Sequence, residues 1–234
     1  MSDMHDIEMN KETFWNLITA AKDKCGQDHA EYAKWVKEQL LFMGADQALK
    51  FNDLMYAYVR HAEQYGLWTA AEIMLGGCSD DSFHYFCAWL VSQGKETYTA
   101  ALADPDSLAD IDVNGDCRFE RLNYVGAYAY KELTGKDAYD LFNMETYKEM
   151  MSAIRSEIPL GDGIGYPYSG HEAAAYLPKL CAKYDVTGIG AWNYDSPDIK
   201  KALKTARKSK RVKNRGDARL AKRSTLASIT ATPR

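Results

Sequence analysis

Residues 76–94 read GGCSDDSFHYFCAWLVSQG, and this stretch predicts the centre of the fold. Ser79 is a residue type that caps helix N-termini. Asp80 and Asp81 come next, in the first turn, where carboxylates interact favourably with the positive end of the helix dipole. Beyond them the run is apolar on nearly all sides, which is typical of a helix buried by several neighbours. The sequence therefore predicts a central buried helix over residues 80–93.

Helical periodicity continues on both sides of this stretch, and no segment shows the convincing period-two alternation of a strand. A helix is predicted from about residue 138 to 156. Another is predicted over residues 171–184, with Pro178 either kinking it or confining its regular part to the residues after the proline. The predicted fold class is all-α, a single domain of about eight helices around the central one.

The formal net charge of −4 conceals two parts of opposite charge. Residues 1–199 contain 16 Lys/Arg and 32 Asp/Glu, whereas residues 200–234 contain 13 Lys/Arg and one acidic residue. We therefore divide the chain into an acidic helical domain, residues 1–185, and a basic C-terminal extension, residues 186–234. The composition of the extension predicts that it is largely flexible and partly disordered.

The sequence indicates a soluble protein of the cytoplasm. No apolar run approaches the roughly 18–20 residues that span a bilayer, and the N-terminus lacks the basic-then-apolar layout of a signal peptide. The five cysteines are widely spaced and form no Cys-x-x-Cys pair, so we expect neither a disulfide framework nor a structural zinc site. We expect no membrane association, and the sequence identifies no cofactor.

Several short strings in and around the central helix resemble a known family. They are Leu67-Trp68, Gly76–Phe83, Phe86, Trp89-Leu90, Gln93-Gly94 and Asp104–Ala109, with Phe14-Trp15 upstream and Leu177–Tyr184 downstream. Over about residues 10–185 the chain thereby resembles the bacterial domain-of-unknown-function family 4240. The resemblance implies a soluble, mostly helical domain of prokaryotic type, and it implies no reaction, cofactor or catalytic residue.

The adjacent carboxylates of Asp80 and Asp81 are the best candidates for chemistry. Two carboxylates beside a glycine pair could bind a cation or act as acid and base. Capping alone would also select Ser-Asp-Asp at a helix start, so both interpretations stay open. A site here needs groups from elsewhere in the chain, and the candidates are Glu72, His84, His171 and Glu172. For His84 we expect a pairing with Asp80 or Asp81 across one helical turn.

The acidic segment 110–120 resembles the start of a calcium-binding loop. The residues that would supply alternating oxygen ligands are Asp110, Asp112, Asn114 and Asp116. Arg121 stands where such a loop would place its closing glutamate. We therefore expect a solvated acidic turn, with weak calcium binding as the alternative.

The basic extension has three interpretations: contact with RNA or DNA, folding back onto the acidic domain, or a solvated tail. The candidate phosphate-binding residues are Lys200, Lys201, Lys204, Arg207, Lys208, Lys210, Arg211 and Lys213. Residues 200–234 contain no aromatic residue, so nucleic-acid contact would be independent of sequence. The sequence favours a non-enzymatic binding or interaction protein, with a protein partner also open. The alternative is a carboxylate-dependent enzyme, with or without a metal, whose site lies near Asp80 and Asp81.

Overall fold

The computed structural model describes residues 8–113, 115–161, 163–165 and 170–185, and these residues form helices and connecting turns without a strand. The α-helices are α1 (Lys11–Cys25), α2 (His29–Met43), α3 (Ala45–Ala62), α4 (Tyr65–Leu75), α5 (Asp80–Ser92), α6 (Lys95–Ala103), α7 (Glu120–Thr134), α8 (Met144–Glu157), α9 (Gly170–Tyr176) and α10 (Pro178–Lys183). Two 3-10 turns, Pro105–Asp110 and Ala138–Leu141, lie between them. The all-α prediction is confirmed.

Helix α5 is the buried central helix that the sequence predicts. Ser79 caps it by accepting the amide N–H of Ser82 at 3.2 Å, and Asp80 and Asp81 occupy the first turn. From Phe86 to Ser92 every residue is buried, because α1, α3, α4, α6 and α7 all pack against this helix. Its apolar circumference thus reflects neighbours on several sides.

Helices α3 and α7 pack closely against each other. Gly126 of α7 lies directly against α3, and a Cβ atom at this position would be 2.9 Å from the backbone of Asn52. Phe51 and Tyr58 of α3 pack against Phe14 of α1, with ring centroids 4.9 and 5.2 Å from that of Phe14. The absence of a side chain at Gly126 therefore sets the distance between the two central helices.

The helices differ from the prediction at two places near the C-terminal side of the domain. The helix predicted from residue 138 is divided, because Asn143 caps a new helix by accepting the amide N–H groups of Glu145 and Thr146. The helix predicted over 171–184 is also two helices, since Pro178 has no N–H to continue α9 and instead occupies the first turn of α10. The structure therefore contains ten α-helices in the described ranges, where the pattern predicts about eight.

A buried carboxylate fastens α10 to the domain. Asp106, in the first 3-10 turn, accepts the amide N–H groups of Lys179 at 3.1 Å and Leu180 at 2.9 Å. Helix α10 has no side-chain cap of its own, so Asp106 satisfies amide groups that a helix start leaves without partners.

The basic extension over residues 186–234 lies outside the described residues, so the domain boundary at residue 185 stays a prediction. In the described part of the chain, no helix is long and apolar enough to cross a membrane.

Candidate functional site

A groove opens on the surface where the end of α3, the starts of α4 and α5, and the segment after α8 meet. Its volume is about 820 Å³. It is lined by Arg60, Glu63, Gln64, Tyr65, Trp68, Asp80, Asp81, Phe83, His84, Leu160, Gly161, Gly163 and Ile164. Both carboxylates that the sequence singles out, Asp80 and Asp81, are exposed and line this groove.

Three charged or titratable side chains of the groove, those of Arg60, Glu63 and His84, are in contact through Glu63. The Arg60 guanidinium pairs with one carboxylate oxygen of Glu63, and the other oxygen lies 2.9 Å from Nδ1 of His84. The expectation that His84 pairs with Asp80 or Asp81 is therefore wrong. Glu63 is only 19% exposed, so water competes less for its carboxylate than for those of the exposed Asp80 and Asp81.

Aromatic rings form one wall of the groove. The Trp68 and Phe83 ring centroids are 4.7 Å apart, and Tyr65 is exposed at the rim. Trp68 donates its indole N–H to Glu72 at 2.9 Å, which fixes the indole plane. Glu72, a candidate partner of Asp80 and Asp81, therefore supports Trp68 and is not one of the described lining residues.

The segment after α8 closes the groove through a close backbone approach. Gly161 donates its amide N–H to the Leu102 carbonyl oxygen at 3.0 Å. A Cβ atom on Gly161 would lie 1.9 Å from the Ala103 carbonyl oxygen, so only glycine fits here. Three residues on, Ile164 packs over Gly66 at the start of α4. Gly161 therefore brings this segment against α6, and the segment forms one side of the groove.

Of the other predicted acid–base candidates, Glu172 does not join Asp80 and Asp81 in this groove. Glu172 accepts a hydrogen bond from the hydroxyl of Tyr176, one turn later on α9, at 3.2 Å. It is not among the described lining residues. The His171 side chain lies outside the described residues, so its role stays a prediction.

The acidic turn contains a positively charged side chain from α10. The Lys183 ammonium donates to the carbonyl oxygens of Ala109 at 2.8 Å and Ile111 at 2.6 Å, and it lies 3.8 Å from Asp112. Asp116 pairs instead with the Arg118 guanidinium at 2.7 Å. Carbonyl and carboxylate oxygens, the groups that bind calcium in proteins, thus lie around the Lys183 ammonium in this turn.

Calcium binding at this turn stays a prediction. Asp110 is exposed, and Asn114 lies outside the described residues. In the ranges that the structure covers, no three His, Cys, Asp or Glu side chains are grouped so that they could hold a metal ion.

The cysteines near the groove offer no thiolate nucleophile. Burial raises the pKa of the Cys78 thiol to about 12, and it raises the pKa of the Cys87 thiol well above its ordinary value. All five cysteines of the chain are free thiols.

Three residues of the groove are not among the candidates for chemistry that the sequence pattern identifies. Arg60, Glu63 and Trp68 belong to α3, its C-terminal end and α4, and they reach the groove only through tertiary packing. The one local signal is spacing, since Asp53, Tyr56, Arg60 and Glu63 recur at i, i+3, i+7 and i+10 and therefore share one face of α3.

Comparison with known proteins identifies one family. A family profile described as "Protein of unknown function (DUF4240)" matches residues 9–132, which include α1 to α6, most of α7, and all groove residues except those after α8. No curated protein and no solved structure matches the chain. The profile covers just over half of the 234 residues, so the chain belongs to the DUF4240 family.

Proposed function

We propose that this chain is a non-enzymatic binding protein whose groove takes a positively charged ligand and whose basic extension contacts nucleic acid or another polyanion. The observation that carries the first part is the placement of Asp80 and Asp81. Both are exposed at the rim of a groove with an aromatic wall, and in the described residues neither forms an ion pair. Excess negative charge beside an aromatic ring favours an ammonium or guanidinium group.

The electrostatics of the groove support a cationic ligand. Burial lowers the pKa of the Arg60 guanidinium, but the Glu63 carboxylate and Tyr147 outweigh this effect and hold that pKa above its ordinary value. Arg60 and Glu63 therefore offset one another, and Asp80 and Asp81 contribute two further negative charges. The helix dipole at the N-terminus of α5 stabilises the negative charges of Asp80 and Asp81. The two carboxylates can therefore stabilise the helix start and bind a ligand at the same time.

The test uses arginine amide as the probe and the Trp68 indole N–H resonance as the reporter. We expect arginine amide to shift this resonance in the wild-type chain and an Asp80→Asn/Asp81→Asn variant to weaken the response at least about fivefold. The matched control is Asp46→Asn, which removes an exposed charge from the first turn of α3, outside the groove. If the double variant melts lower but binds the probe as the wild type does, the pair is a helix cap and the ligand proposal fails.

The nucleic-acid part of the proposal is supported by charge alone. Eight Lys/Arg side chains between residues 200 and 213 would neutralise phosphates. Residues 200–234 contain no aromatic side chain on which a base could stack. We therefore expect weak, sequence-independent binding of RNA and DNA, with log K falling by up to about 7 for each unit of log salt concentration on duplex DNA. A variant of the full chain with these eight residues changed to glutamine should lose the binding. Equal binding by both chains, or none by either, contradicts this part.

One observation favours an enzyme as the second candidate. Glu63 holds Nδ1 of His84 and thereby orients the ring, which leaves Nε2 as the nitrogen for proton transfer in the groove that Asp80 and Asp81 also line. A carboxylate–histidine pair of this kind suits general acid–base chemistry, with or without a metal. The check is hydrolysis of a generic ester, p-nitrophenyl acetate, by wild type, His84→Gln and Asp46→Asn chains. A rate that is the same for all three excludes His84 as a general base towards this ester.

The free thiols support a further part of the proposal, a cytoplasmic location. Five unpaired cysteines are typical of proteins kept in a reducing compartment. Fractionation of cells that express the full chain checks this location.

A further inference from the structure

A second, smaller cavity lies on the same side of α3 as the groove, between α3 and the start of α8. Its volume is about 160 Å³, room for about five water-sized groups, which matches the end of a lysine or arginine side chain. It is lined by Asp53, Tyr56, Leu141, Phe142, Asn143, Thr146, Tyr147 and Met150.

Three aromatic rings form the wall of this cavity. The centroids of Tyr56, Phe142 and Tyr147 are 5.5–5.9 Å from one another, so a cation seated above them lies within reach of all three. Tyr56 is 37% and Phe142 45% exposed, so the cavity opens to solvent between rings. Exposed aromatic rings grouped in this way mark a binding surface more often than a solvated one.

Among the described lining residues, Asp53 carries the one charged side chain. The Arg60 guanidinium, paired with Glu63, hydrogen-bonds with Tyr147 from outside the cavity. Asp53 is partly buried; loss of hydration raises the pKa of its carboxyl group, and a hydrogen bond with Asn52 partly offsets this. In the described part of the chain no lysine or arginine pairs with it. A desolvated carboxylate beside open aromatic faces attracts a cation that brings its own apolar stem, as lysine and arginine do.

We infer that this cavity binds a lysine or arginine side chain of the chain's own basic run, residues 200–213. Charge complementarity selects this occupant, because the run holds eight cationic residues and no acidic one, whereas residues 1–199 hold twice as many acidic as basic residues. The inference does not rest on the proposed ligand in the groove or on nucleic-acid binding, but nucleic acid and the cavity would compete for the same eight side chains.

The covalent connection makes this contact accessible. Residue 200 follows the last described residue, Asp185, by 15 positions, which allows a reach of about 50 Å. A domain of this size is about 40 Å across, so the path around half its surface is about 63 Å. Residue 213 follows Asp185 by 28 positions and can reach about 90 Å, so the later residues of the run can reach any point of the surface. Tethering also gives the run an effective concentration on the order of millimolar, so an individually weak contact suffices.

The experiment separates the run from its receptor while keeping the full chain. The receptor is the full-length variant with the eight lysines and arginines of residues 200–213 changed to glutamine, so its cavity has no competing cation in cis. The probe is a synthetic peptide of residues 198–213, and binding is followed by titration calorimetry and by the ¹³C-methyl resonance of Met150. We expect peptide binding with a shift of this resonance, and a loss of affinity of at least about tenfold when Asp53→Asn is added.

Two further variants keep the result interpretable. Asp46→Asn removes the same charge from the same helix outside the cavity, and it should change the affinity less than about twofold. Tyr147→Leu removes one ring while keeping apolar volume, so it should weaken binding without unfolding α8. Equal losses from Asp53→Asn and Asp46→Asn would mean diffuse attraction to an acidic surface and overturn the inference. A peptide that binds RNA but not this receptor overturns it as well.

Discussion

Replacing Asp106 with alanine tests how the C-terminal helices are held on the domain. The carboxylate is 5% exposed and accepts two amide N–H groups of α10, from Lys179 and Leu180. A hydrogen bond to a charged group contributes about 1.5–3 kcal/mol to the free energy of unfolding, so the pair contributes about 3–6 kcal/mol. Lys179 is exposed and water can solvate its freed amide, so we expect a loss near the lower limit, about 3 kcal/mol.

Urea unfolding followed by far-UV circular dichroism measures this loss, and hydrogen exchange at the Lys179 and Leu180 amides locates it. Asp106→Asn keeps a neutral acceptor, so it should cost about half as much. Asp110→Ala is the matched control, because Asp110 is exposed in the same 3-10 turn; its effect should stay within about 0.5 kcal/mol. An Asp106→Ala chain that unfolds with wild-type free energy and shows unchanged exchange at both amides would refute the proposed attachment.

Three further predictions concern titration, helix packing and the acidic turn. Burial lowers the pKa of His61, whose Nε2 is 2.8 Å from the Ile158 carbonyl oxygen, so the unfolded chain binds more protons below about pH 6.5. The free energy of unfolding should therefore fall as the pH is lowered from about 6.5 to the folded-state pKa; an NMR titration midpoint of His61 at or above about 6.5 contradicts this. Gly126→Ala forces α7 away from Asn52 and should cost about 1–2 kcal/mol by urea unfolding, although alanine is the better helix former; a stabilised variant would contradict the close approach. Lys183→Gln should lower the melting temperature, because two carbonyl oxygens lose a charged donor, and an unchanged melting curve would show that the lysine contributes nothing.

Local signals predict the helices well, because they depend on residues close in sequence. Ser79 caps α5 as the sequence predicts, by accepting the amide N–H of Ser82, and Asn10 caps α1 in the same way through the Thr13 amide. The division of the predicted 138–156 helix depends on Asn143, whose side chain offers the backbone an alternative to continuing a helix. Apolar periodicity does not show whether an Asn143 side chain will bond to the backbone and start a new helix. The pattern therefore predicts one helix where the structure has two elements.

The candidate site could be predicted only in part, for a different reason. Asp80 and Asp81 are visible in the sequence because they are adjacent and follow a capping serine. Their neighbours are not, since Glu63 and His84 are 21 residues apart and meet only when α3 and α5 pack. Side-chain pairing within a helix predicts that His84 pairs with a residue one turn away, such as Asp80 or Asp81. His84 instead pairs with Glu63, a partly buried carboxylate from another segment.

One face of α3 carries both candidate sites, with Asp53 and Tyr56 at the small cavity and Arg60 and Glu63 at the groove. A helix rises about 1.5 Å per residue, so the ten positions from Asp53 to Glu63, which directly follows α3, span about 15 Å along the helix axis. The helix therefore fixes the spacing that a ligand bound at both sites must have. Two cationic side chains about four or five positions apart on one extended segment match this spacing, and such a ligand gains avidity from the second contact without any rearrangement of the domain.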